Sequence, residues 1–137
     1  HTTYPNRYFT LDVVDCRGEN LVCAWTHREP RIVLFGKDIR CPRNVFLETD
    51  DQRVTLNART PDTQLSIIRQ APAPYNFVKL RCSFLLEDLI NTLARPLTAP
   101  GGSEVIERGL NFSEVVEILY NLCQKEFIPV KFKLYRI

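Results

Sequence analysis

Up to residue 82 the apolar residues come in short runs bounded by turn formers, and beyond it they switch to a helical period. Residues 7–14, with Tyr8, Phe9, Leu11, Val13 and Val14, predict a strand. A turn over 15–20 follows, with Gly18 free to take a positive φ. Residues 21–26, carrying Trp25, predict a second strand, and the short spacing predicts that the two form a hairpin. Further strands are expected at 31–35, 39–41, 45–47, 54–56, 65–68 and 77–82. The polar stretch Glu48-Thr49-Asp50-Asp51-Gln52 separates two of them as a turn. Ala71-Pro72-Ala73-Pro74 reads as stiff and extended.

Leu85, Leu86, Leu89, Ile90 and Leu93 then mark one face of a helix, which Ser83 is placed to cap and which stops before Pro96. Residues 98–103, with Gly101 and Gly102, read as a flexible loop and the stretch most prone to disorder. Phe112, Val115, Val116, Leu119, Tyr120 and Cys123 define a second helix, opened by a capping box of Asn111 and Glu114 and closed before Pro129. Residues 130–135 alternate as a half-buried last strand with a basic outer face. Many strands followed by helix, helix and strand predict an α+β fold. Its antiparallel or mixed sheet carries the two C-terminal helices on one side, and residues 1–137 form a single domain.

The 137 residues are 45% hydrophobic and 25% charged, enough apolar content to build a core without metal or disulfide. A net charge of +2 argues against nucleic acid as a partner. No apolar run is long enough to span a bilayer. The chain begins at His1 without an apolar leader and contains no Met, so it reads as a piece of a longer protein. Five cysteines are present, an odd number with no C-x-x-C pair, and most sit among apolar neighbours, which reads as buried thiols.

The search for chemistry finds little. A thiol nucleophile would need a histidine, and only His27 could serve beside Cys23 or Cys41. Cys16, Cys23 and His27 follow no standard zinc spacing. Asp50-Asp51 and Glu87-Asp88 read as solubilising carboxylates, and Gly101-Gly102-Ser103 lacks the lysine and spacing of a phosphate loop. Asn111-Phe112-Ser113 matches a glycosylation sequon but falls on the helix cap. In Lys131-Phe132-Lys133-Leu134-Tyr135-Arg136, strand periodicity turns Phe132 and Leu134 away from the lysines. A single-strand-binding face is therefore the alternative reading, weaker than a core strand with a basic exterior. No cofactor, metal or small-molecule substrate is expected.

Two segments resemble the C-terminal part of the flagellar P-ring protein family. The first is Arg31-Ile32-Val33-Leu34-Phe35-Gly36-Lys37-Asp38-Ile39-Arg40-Cys41-Pro42-Arg43-Asn44-Val45, similar to that family's strand–Gly–x–Asp–Val–Arg–x–x–Pro–x–x–Val passage. The second combines Leu86-Glu87-Asp88-Leu89-Ile90-Asn91-Thr92-Leu93-Ala94 with Leu110-Asn111-Phe112-Ser113-Glu114-Val115-Val116-Glu117-Ile118-Leu119, similar to its closing helices. The chain departs from the family in the insertion over 95–109, in Glu126-Phe127-Ile128 where the family has Gly-Ala-Leu, and in the first 28 residues, which match nothing there. The resemblance implies a structural, non-catalytic subunit that works by protein–protein packing, assembles as a ring of identical copies and resides in the periplasm. The surfaces expected to be left for partners are the turns at Gly18 and at Asp50-Asp51, the stretch with Pro72 and Pro74, and the loop with Gly101 and Gly102. The second helix and the last strand are expected to belong to the domain's own core.

Overall fold

The computed structural model of the chain describes residues 1–26, 29–125 and 127–135. His27 and its turn, Glu126 and Arg136 therefore lie at or beyond the edges of the described residues. The described residues form eleven strands and two helices, an α+β fold with mixed and antiparallel sheets. A five-stranded sheet has the order β1 (Thr2–Pro5), β2 (Thr10–Val14), β4 (Arg31–Phe35), β3 (Leu21–Trp25), β11 (Lys131–Tyr135). A four-stranded sheet runs β5 (Val45–Glu48), β6 (Val54–Ala58), β7 (Leu65–Gln70), β8 (Phe77–Cys82), antiparallel throughout. After helix α1 (Leu86–Ala94), β9 (Leu97–Thr98) and β10 (Val105–Glu107) make a small hairpin, followed by helix α2 (Phe112–Gln124).

The hairpin expected between residues 7–14 and 21–26 is not formed. β2 pairs in parallel with β4, and β4 sits between β2 and β3. The connection over 15–20 therefore passes the end of β4 instead of turning back beside β2. Its landing point is Gly36, whose φ is +126° and whose N–H donates to the Val14 carbonyl at 2.8 Å. The Asn20 side chain lies where a Cβ on Gly36 would stand, so only glycine lets the crossing pass this closely. Gly18 itself does not use a positive φ.

The first strand begins later than its apolar pattern implies. The Asn6 side-chain carbonyl accepts N–H groups from Tyr8 at 2.9 Å and Phe9 at 3.1 Å, which bends 6–9 into a turn. That turn joins β2 to β1, a strand unmarked by any apolar alternation.

Other expectations change in the C-terminal part. The Pro-rich stretch is a tight turn closing β7 onto β8, with the Tyr75 N–H donating to the Pro72 carbonyl at 3.1 Å and a cis Ala73–Pro74 bond. The expected loop over 98–103 is the ordered turn of the β9–β10 hairpin, with Gly101 at φ +74° and the Gly102 N–H donating to the Ala99 carbonyl at 2.9 Å. Leu85 is the N-cap of α1; the Ser83 hydroxyl accepts the Leu85 N–H and donates to the Asp88 carboxylate from two residues upstream.

On α2 the buried residues are Val115, Ile118, Leu119 and Leu122, a stripe rotated from the one read in the sequence. Tyr120 is 48% exposed and packs edge-on against Phe132. The last strand also proves less buried than expected: β11 is an edge strand, parallel to β3, in which Phe132 packs on Tyr120 of α2 while Leu134 and Tyr135 are exposed. A continuous buried cluster joins β2, β3 and β4 to β5, β6 and β7 through Leu86, Leu89, Ile90 and Leu93 of α1 and the stripe of α2.

Candidate interaction surfaces

Two of the four expected partner surfaces meet at one end of the four-stranded sheet, and the base of the hairpin that carries a third packs there. The β5–β6 turn with Asp50 and Asp51 and the β7–β8 turn with Pro72 and Pro74 lie at that end, joined by a Gln70 N–H donating to the Arg53 carbonyl at 2.9 Å. The β9–β10 hairpin, with Gly101 and Gly102 at its tip, packs on the same end through Leu97 against Ala71 and Val78. Gly18 lies elsewhere, in the exposed connection from β2 to β3.

Asp50 is free in solvent, but Asp51 builds its own turn. Its carboxylate accepts the Thr49 hydroxyl at 2.6 Å and the Arg53 N–H at 3.0 Å. The Thr49 bond foremost, and the Arg53 N–H after it, holds this carboxyl below its ordinary pKa. Gln52 takes the left-handed conformation that completes the reversal. Glu87 and Asp88 are likewise engaged within the molecule, Glu87 by the Tyr4 hydroxyl at 2.9 Å and Asp88 by Ser83.

Behind that end lies a charge cluster that no motif announced. Glu114, at the third position of α2, receives Arg108 Nη1 at 2.6 Å, Arg53 Nη1 at 3.5 Å and the Asn111 N–H at 2.9 Å. Arg69 on β7 is 1% exposed and donates from Nη2 to the Arg108 carbonyl at 3.1 Å. Among the described residues its Nε and Nη1 have no hydrogen-bond partner. Burial pushes its guanidinium pKa down, against the pull of Glu107 and Glu114. Three arginines and one glutamate, Arg53, Arg69, Arg108 and Glu114, thus pin the N-terminus of α2 and the segment after β10 to the four-stranded sheet.

A cleft of about 770 Å3 opens between the N-terminal segment and the 105–109 segment, with Tyr4, Asn6, Tyr8, Asn91, Glu107 and Arg108 on its walls. It combines both signs of charge and contains neither a cysteine nor a histidine. Burial disfavours the thiolate at four of the cysteines: it pushes Cys41 up to about 12 and Cys82 and Cys123 up to about 11. Cys23 is raised as well, by burial against the opposing pull of Lys133. His27, its only proposed partner, lies outside the described residues. Among the described residues no group of three or more His, Cys, Asp or Glu is placed to hold a metal ion. No described helix is long and apolar enough to cross a membrane.

What the surface does present is strand edge. β1, β11, β5 and β8 end their sheets, so one side of each backbone is unpaired among the described residues. Large apolar side chains stand exposed on three of them: Phe46 on β5, Phe77 on β8, and Leu134 and Tyr135 on β11. Tyr135 stacks on Trp25 at 5.0 Å between ring centres, on the same face of β11 as Lys131 and Lys133. The periodicity of the sequence located β5, β8 and β11 but not β1, and it did not reveal which strands would be edges, because that depends on pairing between distant segments. No family model matches the chain, and no curated protein or solved structure shows significant similarity to it.

Proposed function

We propose that this chain is a non-catalytic assembly module that acts by packing against other protein, with copies of itself as the leading partner. The observation that carries this reading is the four edge strands of the two larger sheets, three of them bearing exposed large apolar side chains. Such edges are templates for further strands, and monomeric proteins ordinarily cover, shorten or charge them. The P-ring resemblance supports the same role and adds a periplasmic, ring-forming setting. The raised thiol pKa values weigh against a cysteine enzyme.

Head-to-tail contacts close into a ring when the rotations between neighbours add to a full turn, and otherwise continue as a filament. The test is the solution mass by light scattering over a wide concentration range. The expected result is a mass that climbs with concentration to several copies. A strict monomer at all concentrations would overturn self-assembly.

A further inference from the structure

The two free edges of the four-stranded sheet differ, and they differ in complementary ways. The rows across that sheet run straight from one edge to the other. They are Phe46–Asn57–Ser66–Arg81, Leu47–Leu56–Ile67–Leu80 and Glu48–Thr55–Ile68–Lys79. One end of the sheet's exposed face therefore presents Phe46 and Glu48, and the other presents Arg81 and Lys79, all four exposed. Because the four strands alternate in direction, β5 and β8 run antiparallel. A second copy set beside the first by continuing the rows would bring its β5 antiparallel to the first copy's β8, the geometry a hydrogen-bonded ladder requires.

We propose that β5 of one copy pairs with β8 of another in this register, so that Glu48 faces Lys79, Phe46 faces Arg81 and Leu47 lies beside Leu80. Each row then continues with chemistry that fits it. Opposite charges meet in one row, a guanidinium meets an aromatic ring in the next, and two leucines meet on the inner face. The alternatives fit worse. Two β8 edges would set Lys79 and Arg81 against the same cations, which opposes pairing like with like. An unlike pairing leaves one β5 and one β8 edge free on every open assembly, so it propagates head to tail until a ring closes. This inference rests on the self-assembly reading and specifies its surface.

The test is charge reversal read by sedimentation velocity. Glu48→Lys leaves cations on both edges, and Lys79→Glu leaves carboxylates facing carboxylates. Each variant alone is expected to raise the dissociation constant of self-association roughly tenfold or more. An equimolar mixture of the two restores both junctions, since each variant's altered edge complements the other's, and the mass is expected to return toward that of the unaltered chain. Both residues are exposed, and circular dichroism of each variant checks that the fold is kept. If both variants assemble like the unaltered chain, or the mixture fails to recover, the β5–β8 junction is wrong while self-assembly by another surface stands. If the unaltered chain is monomeric throughout, the assembly reading falls first and the junction with it.

Discussion

Gly109 sits where the chain leaves the β9–β10 hairpin and enters α2. Its φ is not positive, so its need for glycine comes from crowding: a Cβ there would run into the Ala94 carbonyl. The Leu110 N–H donates to the Leu93 carbonyl at 2.9 Å, which holds the two backbones this close. Gly109→Ala must therefore shift the end of α1 or the start of α2, and it is expected to destabilise the fold by about 1–3 kcal/mol, lowering Tm by several degrees. Gly18→Ala, with nothing within 4 Å of the added carbon, is expected to leave Tm unchanged. Thermal unfolding of the two variants side by side measures the contrast. Neither role was visible in the sequence. Gly18 stood out because it lies among turn formers, whereas Gly109 follows Glu107 and Arg108 and matters only because residues distant along the chain come within touching distance.

At the scale of elements, the capping box at α2 was legible in advance, because its two partners lie three residues apart and their geometry is set by the helix alone. The Asn111 side chain accepts the Glu114 N–H at 2.9 Å and the Glu114 carboxylate accepts the Asn111 N–H at 2.9 Å. Asn111→Ala is expected to cost about 1 kcal/mol in chemical denaturation. The arginines that converge on Glu114, Arg53 from the β5–β6 turn and Arg108 from the segment before α2, were not legible, since their meeting depends on tertiary packing. Burial alone would raise the Glu114 pKa; the Arg108 bond, the Asn111 N–H and the two nearby cations outweigh it and hold the carboxyl below its ordinary value. A depressed pKa stabilises the fold above the unfolded-state value, and that contribution is lost as pH falls through the folded-state value. Urea midpoints measured from about pH 7 down to about pH 3 should fall more steeply for the unaltered chain than for Glu114→Gln. The same locality explains which strands were read correctly. β5 through β8 pair in sequence order and β7–β8 close through a local turn, while in the five-stranded sheet the β2–β4 and β3–β11 pairings skip over neighbours.

At the scale of the whole molecule, one buried cluster spans both sheets and both helices, yet the sheets differ in how firmly their strands are held. β2, β3 and β4 each bury three consecutive residues, whereas β11 exposes four of its five and pairs on one side only. Ladder hydrogen bonds resist exchange in proportion to the burial that must be undone to open them, so amide protection should follow this gradient. The amides of Ile32 and Leu34 are expected to exchange only through global unfolding. Those of Lys133 and Tyr135 are expected to exchange through local opening at far lower free energy. Trp25, the single tryptophan, lies stacked on Tyr135 at the boundary between the two regimes. Its fluorescence should therefore begin to change before the far-ultraviolet circular dichroism does, as β11 peels from β3. The shared cluster should carry both sheets through one common main transition thereafter. Separate main transitions for the two sheets, or equal protection across β4 and β11, would show that the cluster does not couple them in this way.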